Sequence, residues 1–310
     1  MIRFPLQRQL LPLAGLGSGL LILIFVGTAG LFGTTARSGQ TGDAAEVQQP
    51  VAEKTEWCAS SSANIVFCSA AAEGMPEAPK VSSFAPAEDL ADQADKYIKG
   101  LEETVKAVES GDEKYDDVKE KIGKESNTLA ILALCLGKHD KDSKYKAQAG
   151  ALLKASQELA ASSDLASAKK ALAKVQDAAS GKLKVADVEL KWEKVASLPD
   201  LMKQVPSINT KLKAYVKPAK FKSKAKDSAG ITAVMAAIAQ GSMADLSATK
   251  SPDQAAQWYK FCEEMRVAAA ATNKSIRDGD AEATKKNLLI LGKNCEDCHA
   301  VFHPEAKIEE

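Results

Sequence analysis

Residues 87–112 read AEDLADQADKYIKGLEETVKAVESGD, and the fold class turns on this stretch. Leu90, Ala94, Tyr97, Leu101, Val105 and Val108 recur at steps of three or four, which puts them on one face of an α-helix. Gly111 with Asp112 predicts its stop. From residue 87 onward the chain is built from Ala, Lys, Leu, Glu and Asp with few β-branched runs, which is helix-forming material. Val118, Ile122, Leu129, Leu132 and Leu136 form a second stripe ending at Gly137. Leu152, Ala155 and Leu159 begin a third, and Leu165, Ala168, Leu172 and Val175 a fourth. Amphipathic helices joined by short polar connections cannot bury their faces singly, so residues 87–187 are expected to form an antiparallel four-helix bundle.

The remainder repeats this plan. Asp89-Leu90, Leu101 and Val105 align at constant offset with Asp200-Leu201, Leu212 and Val216. Glu125-Ser126 matches Asp227-Ser228 ahead of Ile231, Val234 and Ile238, and Lys169-Lys170 with Leu172 matches Lys285-Lys286 with Leu288. An internal repeat of this length predicts an all-α chain of two tandem antiparallel four-helix bundles, the second covering residues 188–310.

One short segment carries chemistry: Cys295-Glu296-Asp297-Cys298-His299. On a helix the two cysteines and the histidine, at i, i+3 and i+4, share a face. The thiols suit thioether bonds to the two vinyl groups of a haem, and the imidazole of His299 suits the proximal position on its iron. Leu288, Leu291, Cys295, His299 and Phe302 continue one stripe, so the same helix serves core and cofactor. Three other readings of the pair stand beside this one: half of a zinc site, a redox dithiol, and a chance pair of thiols. A zinc site needs further ligands, and His303, Cys135 and Cys262 supply no second CxxC or HxxxH pair. A redox dithiol usually opens a helix after a strand, and no strand pattern precedes this one. The repeat alignment puts Ala179, Lys182 and Leu183 opposite Cys295, Cys298 and His299, so the first bundle is expected to be haemless.

Ahead of the helical part, Arg3 and Arg8 precede a charge-free run from Gln9 to Ala36 whose apolar centre is residues 10–32. Such a run approaches the roughly 20 residues that span a bilayer. Residues 1–36 therefore read as a signal peptide or membrane anchor, with Thr34-Thr35-Ala36 as a cleavage site if it is removed. Its charge bias directs the rest outside the cytoplasm, to a periplasmic or other extracytoplasmic space. Residues 37–86 read as a flexible tether, interrupted by Cys58 and Cys68, which an oxidising compartment would join in a small disulfide loop.

The second half resembles the cytochrome c prime superfamily, four-helix c-type cytochromes with CxxCH close to the C-terminal end of the last helix. The likeness covers residues 190–305 directly and residues 87–185 through the repeat. It implies one covalent haem c, with His299 proximal and the first helix of that bundle on the distal side. There Met202 is the candidate sixth ligand, and its thioether would raise the reduction potential. Where the family commonly has an aromatic and then Arg after the histidine, this chain has Phe302 and His303. The resemblance implies a non-enzymatic electron carrier with a redox partner protein. If apolar Val205, Ile208 or Leu212 covers the iron instead, the site is five-coordinate and takes NO or CO. The family also commonly forms homodimers. A third function is a partner-binding scaffold using the haemless bundle.

The rest of the chain narrows the field. With 41 basic and 41 acidic residues the formal charge is zero, which does not suggest nucleic-acid binding. Lys213, Lys217, Lys220, Lys222, Lys224 and Lys226 crowd one connection, read as a solvated loop or as a dock for an acidic redox partner. Cys135 and Cys262 are expected as buried thiols, Met235, Met243 and Met265 as core, and Trp192 and Trp258 as packing of the second bundle. His139 is expected in solvent.

Overall fold

Eight α-helices and one short 3₁₀ turn occupy the residues that the computed structural model describes, 74–183 and 189–305, with no strand among them. Segment 10–32, its cleavage site and the Cys58–Cys68 pair lie outside the described residues. The helices are α1 (Ala87–Ser110), α2 (Tyr115–Lys138), α3 (Ala149–Ala160), α4 (Leu165–Ala179), α5 (Leu198–Tyr215), α6 (Ala225–Ser242), α7 (Pro252–Arg277) and α8 (Ala281–Phe302). None of them is long and apolar enough to cross a membrane.

Local chemistry explains the boundaries. α1 ends where Gly111 takes the left-handed conformation at φ 83°, a position that costs glycine nothing sterically. Asp164 and Ser167 form a reciprocal capping box at the start of α4. Ser197, Ser251 and Asp280 cap α5, α7 and α8 through the backbone N–H groups of Asp200, Gln254 and Ala283. Pro206 stands inside α5, so it neither starts nor ends that helix.

The buried faces follow the predicted stripes. Leu90, Ala94, Leu101 and Val105 of α1 and Val118, Ile122, Leu129, Leu132 and Leu136 of α2 all lie in the core. α1 to α4 pack in series, and α1 closes against α4. α5 to α8 also pack in series, but α5 also packs against α2, and α6 packs against both α1 and α2. Residues on both sides of position 188 consequently share one continuous core. The described residues fall within one compact unit.

Two helices explain this joint. Every residue of α2 from Ser126 to Leu136 is buried, as is every residue of α6 from Ser228 to Ser242. A helix apolar all round must be covered all round, so α2 and α6 occupy the centre. Gly241 lets them approach, since a Cβ there would overlap Ile131 Cδ1. Polar stitches complete the joint. Asn127 donates to Gly123 O and Asp200 Oδ2, both at 3.0 Å, and accepts from Ser197 N at 2.9 Å. Asn273 donates to buried Asp89 at 2.8 Å, and Arg277 reaches the same carboxylate at 2.9 Å. Asn127→Ala strands the Ser197 N–H and is expected to cost about 1–3 kcal/mol in urea unfolding. A variant as stable as the parent would show that this stitch does not hold the halves.

Trp192 is half-buried against the main core, with Lys138 Nζ of α2 6.0 Å from its ring centroid. His139 corrects one expectation: it is 2% exposed. Its Nε2 lies 3.0 Å from Ala85 O and its Nδ1 accepts from Lys141 N at 2.9 Å, so it is a structural tie between the 3₁₀ turn and the end of α2. Cys135 is buried as expected, and burial pushes its thiol up.

One half-buried acid gives a pH signature. Burial pushes the Glu125 carboxyl up, against the opposing pull of Lys121, Lys211 and Lys124. The folded state therefore holds this proton more tightly than the unfolded chain, and the group costs stability as pH rises through the carboxylate range. Glu125→Gln is expected to be more stable than the parent at neutral pH and equal to it in acid. Thermal unfolding across that range checks the sign, and a variant less stable at neutral pH would reverse it.

Candidate cofactor site on the last helix

The last two turns of α8 carry Cys295, Cys298 and His299. α8 packs on α7 and buries only Thr284 and Leu291 fully, so its far side stays open, with Leu289 69% exposed and Ile290 also outside the core. The end of the helix is fixed by aromatics. Phe302 meets Trp258 edge to face at 5.2 Å between centroids and Phe261 at 6.2 Å. Trp258 is held in turn by donating to Ser242 O at 3.0 Å.

Around these rings lies a small second core, separate from the main one. Leu198, Met243, Trp258, Tyr259 and Cys262 form it, with Met202, Cys298 and Phe302 packed against it. The fold thus brings Met202 of α5 and Cys298 of α8 to the same apolar cluster, although almost a hundred residues separate them in sequence. Trp258 and Cys262 are buried there as expected. Met235 is core, Met265 packs against the main core, and Met243 belongs to the small one.

The electrostatics follow from this setting. Both thiols are half-buried and free. Burial pushes the Cys298 thiol up to about 11, with Cys295 adding to it, and burial followed by Glu296 pushes Cys295 up. Burial and the neighbouring His303 hold the His299 imidazolium below its usual range. The rings of His299 and His303 stack at 6.0 Å, while exposed His303 turns its Nδ1 toward Glu305 at 3.3 Å. His299 Nδ1 is buried and has no hydrogen-bond partner.

These features test which group fits. A redox dithiol works as a thiolate, favoured at the positive start of a helix, whereas this pair sits at the negative end with both thiols held neutral. No set of three His, Cys, Asp or Glu side chains among the described residues could enclose a metal ion, so these residues offer zinc no ligand set among themselves. A covalent haem asks for two thiols and a neutral imidazole on one helical face next to apolar cover. Those are the groups present, and an imidazole with an orphaned buried nitrogen has its bonding capacity to spare.

Arg266 was not singled out by the sequence pattern. It is buried one turn beyond Cys262, bonded to Gln240 Oε1, 3.9 Å from Met243 Sδ and 5.7 Å from the Phe84 ring centroid. Its signal is composition: Arg266 and Arg277 are the only arginines in residues 74–305 of a lysine-rich chain. A planar, weakly hydrated guanidinium tolerates such burial better than an ammonium. No family model, curated protein or solved structure matches the chain.

Proposed function

We propose that this chain is a monohaem c-type cytochrome of the cytochrome c prime kind, carrying electrons outside the cytoplasm, with residues 10–32 exporting or anchoring it. The observation that carries the reading is the placement of Cys295, Cys298 and His299 on one face at the end of α8, beside the apolar cluster that also receives Met202. Cys295 and Cys298 would hold one haem c through thioethers, His299 would ligate its iron, and Met202 is the candidate for the opposite side. The haem supplies one-electron Fe(III)/Fe(II) chemistry when bound. Trp258 and Phe302 keep water from the cluster and lock the helix end that bears the imidazole, which limits rearrangement between oxidation states. The chain is read as a duplicated pair of four-helix units merged into one body, the first without haem. Its redox partner would be an acidic protein docking on the lysines between α5 and α6, and two copies would pair as a homodimer.

Met202 decides between electron transfer and gas binding. With Met202 as ligand, the reduced protein shows sharp low-spin bands that CO leaves unchanged. Met202→Leu is then expected to become high-spin and CO-reactive, with a lower midpoint potential. A parent protein that itself takes up CO would instead favour a five-coordinate site for NO or CO.

A further inference from the structure

Among the described residues, the large hydrophobic side chains that stand exposed are Val267, Leu289, Ile290 and Val301. Three of them lie on α8 and the other on α7, the helix α8 packs against. A protein surface usually scatters such residues singly, so their gathering on one helix pair marks a contact face. Asn287 donates to Ala271 O at 3.1 Å, which brings Val267, one turn along α7 from Ala271, beside the exposed side of α8.

The charges on this side of α8 are ordered. At about 100° per residue, Glu282, Lys286, Leu289, Lys293, Asp297 and Ala300 fall in one strip, with Lys285 and Glu296 along one edge and Ile290 and Val301 along the other. Three lysines stand against three acids, so the strip has no net sign that would select an acidic or a basic protein. The signs are separated along the axis instead. Lys285 and Lys286 precede the apolar pair Leu289 and Ile290, while Glu296 and Asp297 follow it. Lys293 is tied to Asp297 at 2.9 Å, whereas Lys285, Lys286 and Glu296 make no ion pair among the described residues.

We propose that two copies of this chain pair through α8, the two helices running antiparallel about a two-fold axis at the level of Leu291. Lys285 of each copy then lies opposite Glu296 of the other, and Lys286 opposite Asp297, each pair occurring twice. Leu289 and Ile290 meet at the centre, where the alkyl stem of Lys293 covers Leu289 of the second copy. A parallel pairing would set Lys285 and Lys286 against themselves. The 22 residues of α8 give the seam about 33 Å of length, and Val267 widens it. Nine residues separate Leu289 from Cys298, about 180° round the helix, so the CxxCH side stays free. This pairing rests on the homodimer proposed above, to which it gives a face, and needs no haem.

Sedimentation equilibrium of the mature full-length protein tests this, and the parent is expected to be a dimer. Leu289→Asp/Ile290→Asp is expected to weaken pairing at least about tenfold. Lys285→Glu and Glu296→Lys alone each turn two attractions into repulsions and are expected to weaken it severalfold, while the exchange Lys285→Glu/Glu296→Lys restores it. All four side chains are exposed, so circular dichroism is expected to be unchanged. The pairing is overturned if the parent is monomeric at about 0.1 mM, if Leu289→Asp/Ile290→Asp associates as tightly as the parent, or if the exchange pairs no better than the single reversals. A monomer that carries covalent haem overturns the pairing and leaves the cytochrome reading standing; a haem-free dimer that these substitutions break does the reverse.

Discussion

Cys295→Ser/Cys298→Ser protein, matured alongside the parent, is expected to retain no haem through denaturation and to lose its redox activity entirely. Serine keeps the size and the half-buried setting of each thiol but cannot form a thioether. The effect is therefore on the covalent bonds and not on folding, and the far-UV circular dichroism is expected to be unchanged. Single variants should keep one bond each and hold haem less completely. His299→Ala separates attachment from ligation: both thiols remain, so haem stays bound to the chain while its proximal iron ligand is lost. A double-serine protein that still holds haem after denaturation would move the attachment point elsewhere.

The second large effect concerns the joint. Leu132 is fully buried on α2, within the segment that is covered on every side. Leu132→Ala deletes three buried carbon atoms at the centre of the molecule and is expected to cost about 2–5 kcal/mol. Against a typical total of about 5–15 kcal/mol this is a large share. Because α2 packs against α1, α3, α5 and α6, the loss should be felt on both sides of position 188. Urea unfolding followed by Trp258 and Trp192 fluorescence and by circular dichroism should show one transition moved to lower urea. Two transitions, with only the earlier one displaced, would mean that the halves fold independently.

Much of this architecture can be read from periodicity. The stripes of α1, α3 and α4 are one-sided, and one-sided stripes report their own burial. α2 and α6 are different. Reading Val118, Ile122, Leu129, Leu132 and Leu136 as a single stripe passes over the apolar residues between them. Those residues bury the rest of α2 and merge what periodicity alone suggests are two bundles. His139 misleads for a related reason: its neighbours in sequence are polar, but its partners Ala85 and Lys141 are set by tertiary packing and a local turn. The CxxCH segment is legible because all of its chemistry lies within five residues. The meeting of Met202 with Cys298 joins residues that no local window contains.

The most direct measurement is the absorption spectrum and intact mass of full-length protein produced with haem maturation, taken after denaturation and reduction in alkaline pyridine. One haem per chain, with the bands of a haem bound through two thioethers, is the result predicted. Protein whose Cys295 and Cys298 are intact but whose mass is that of the bare chain, with no haem bands, would contradict the account.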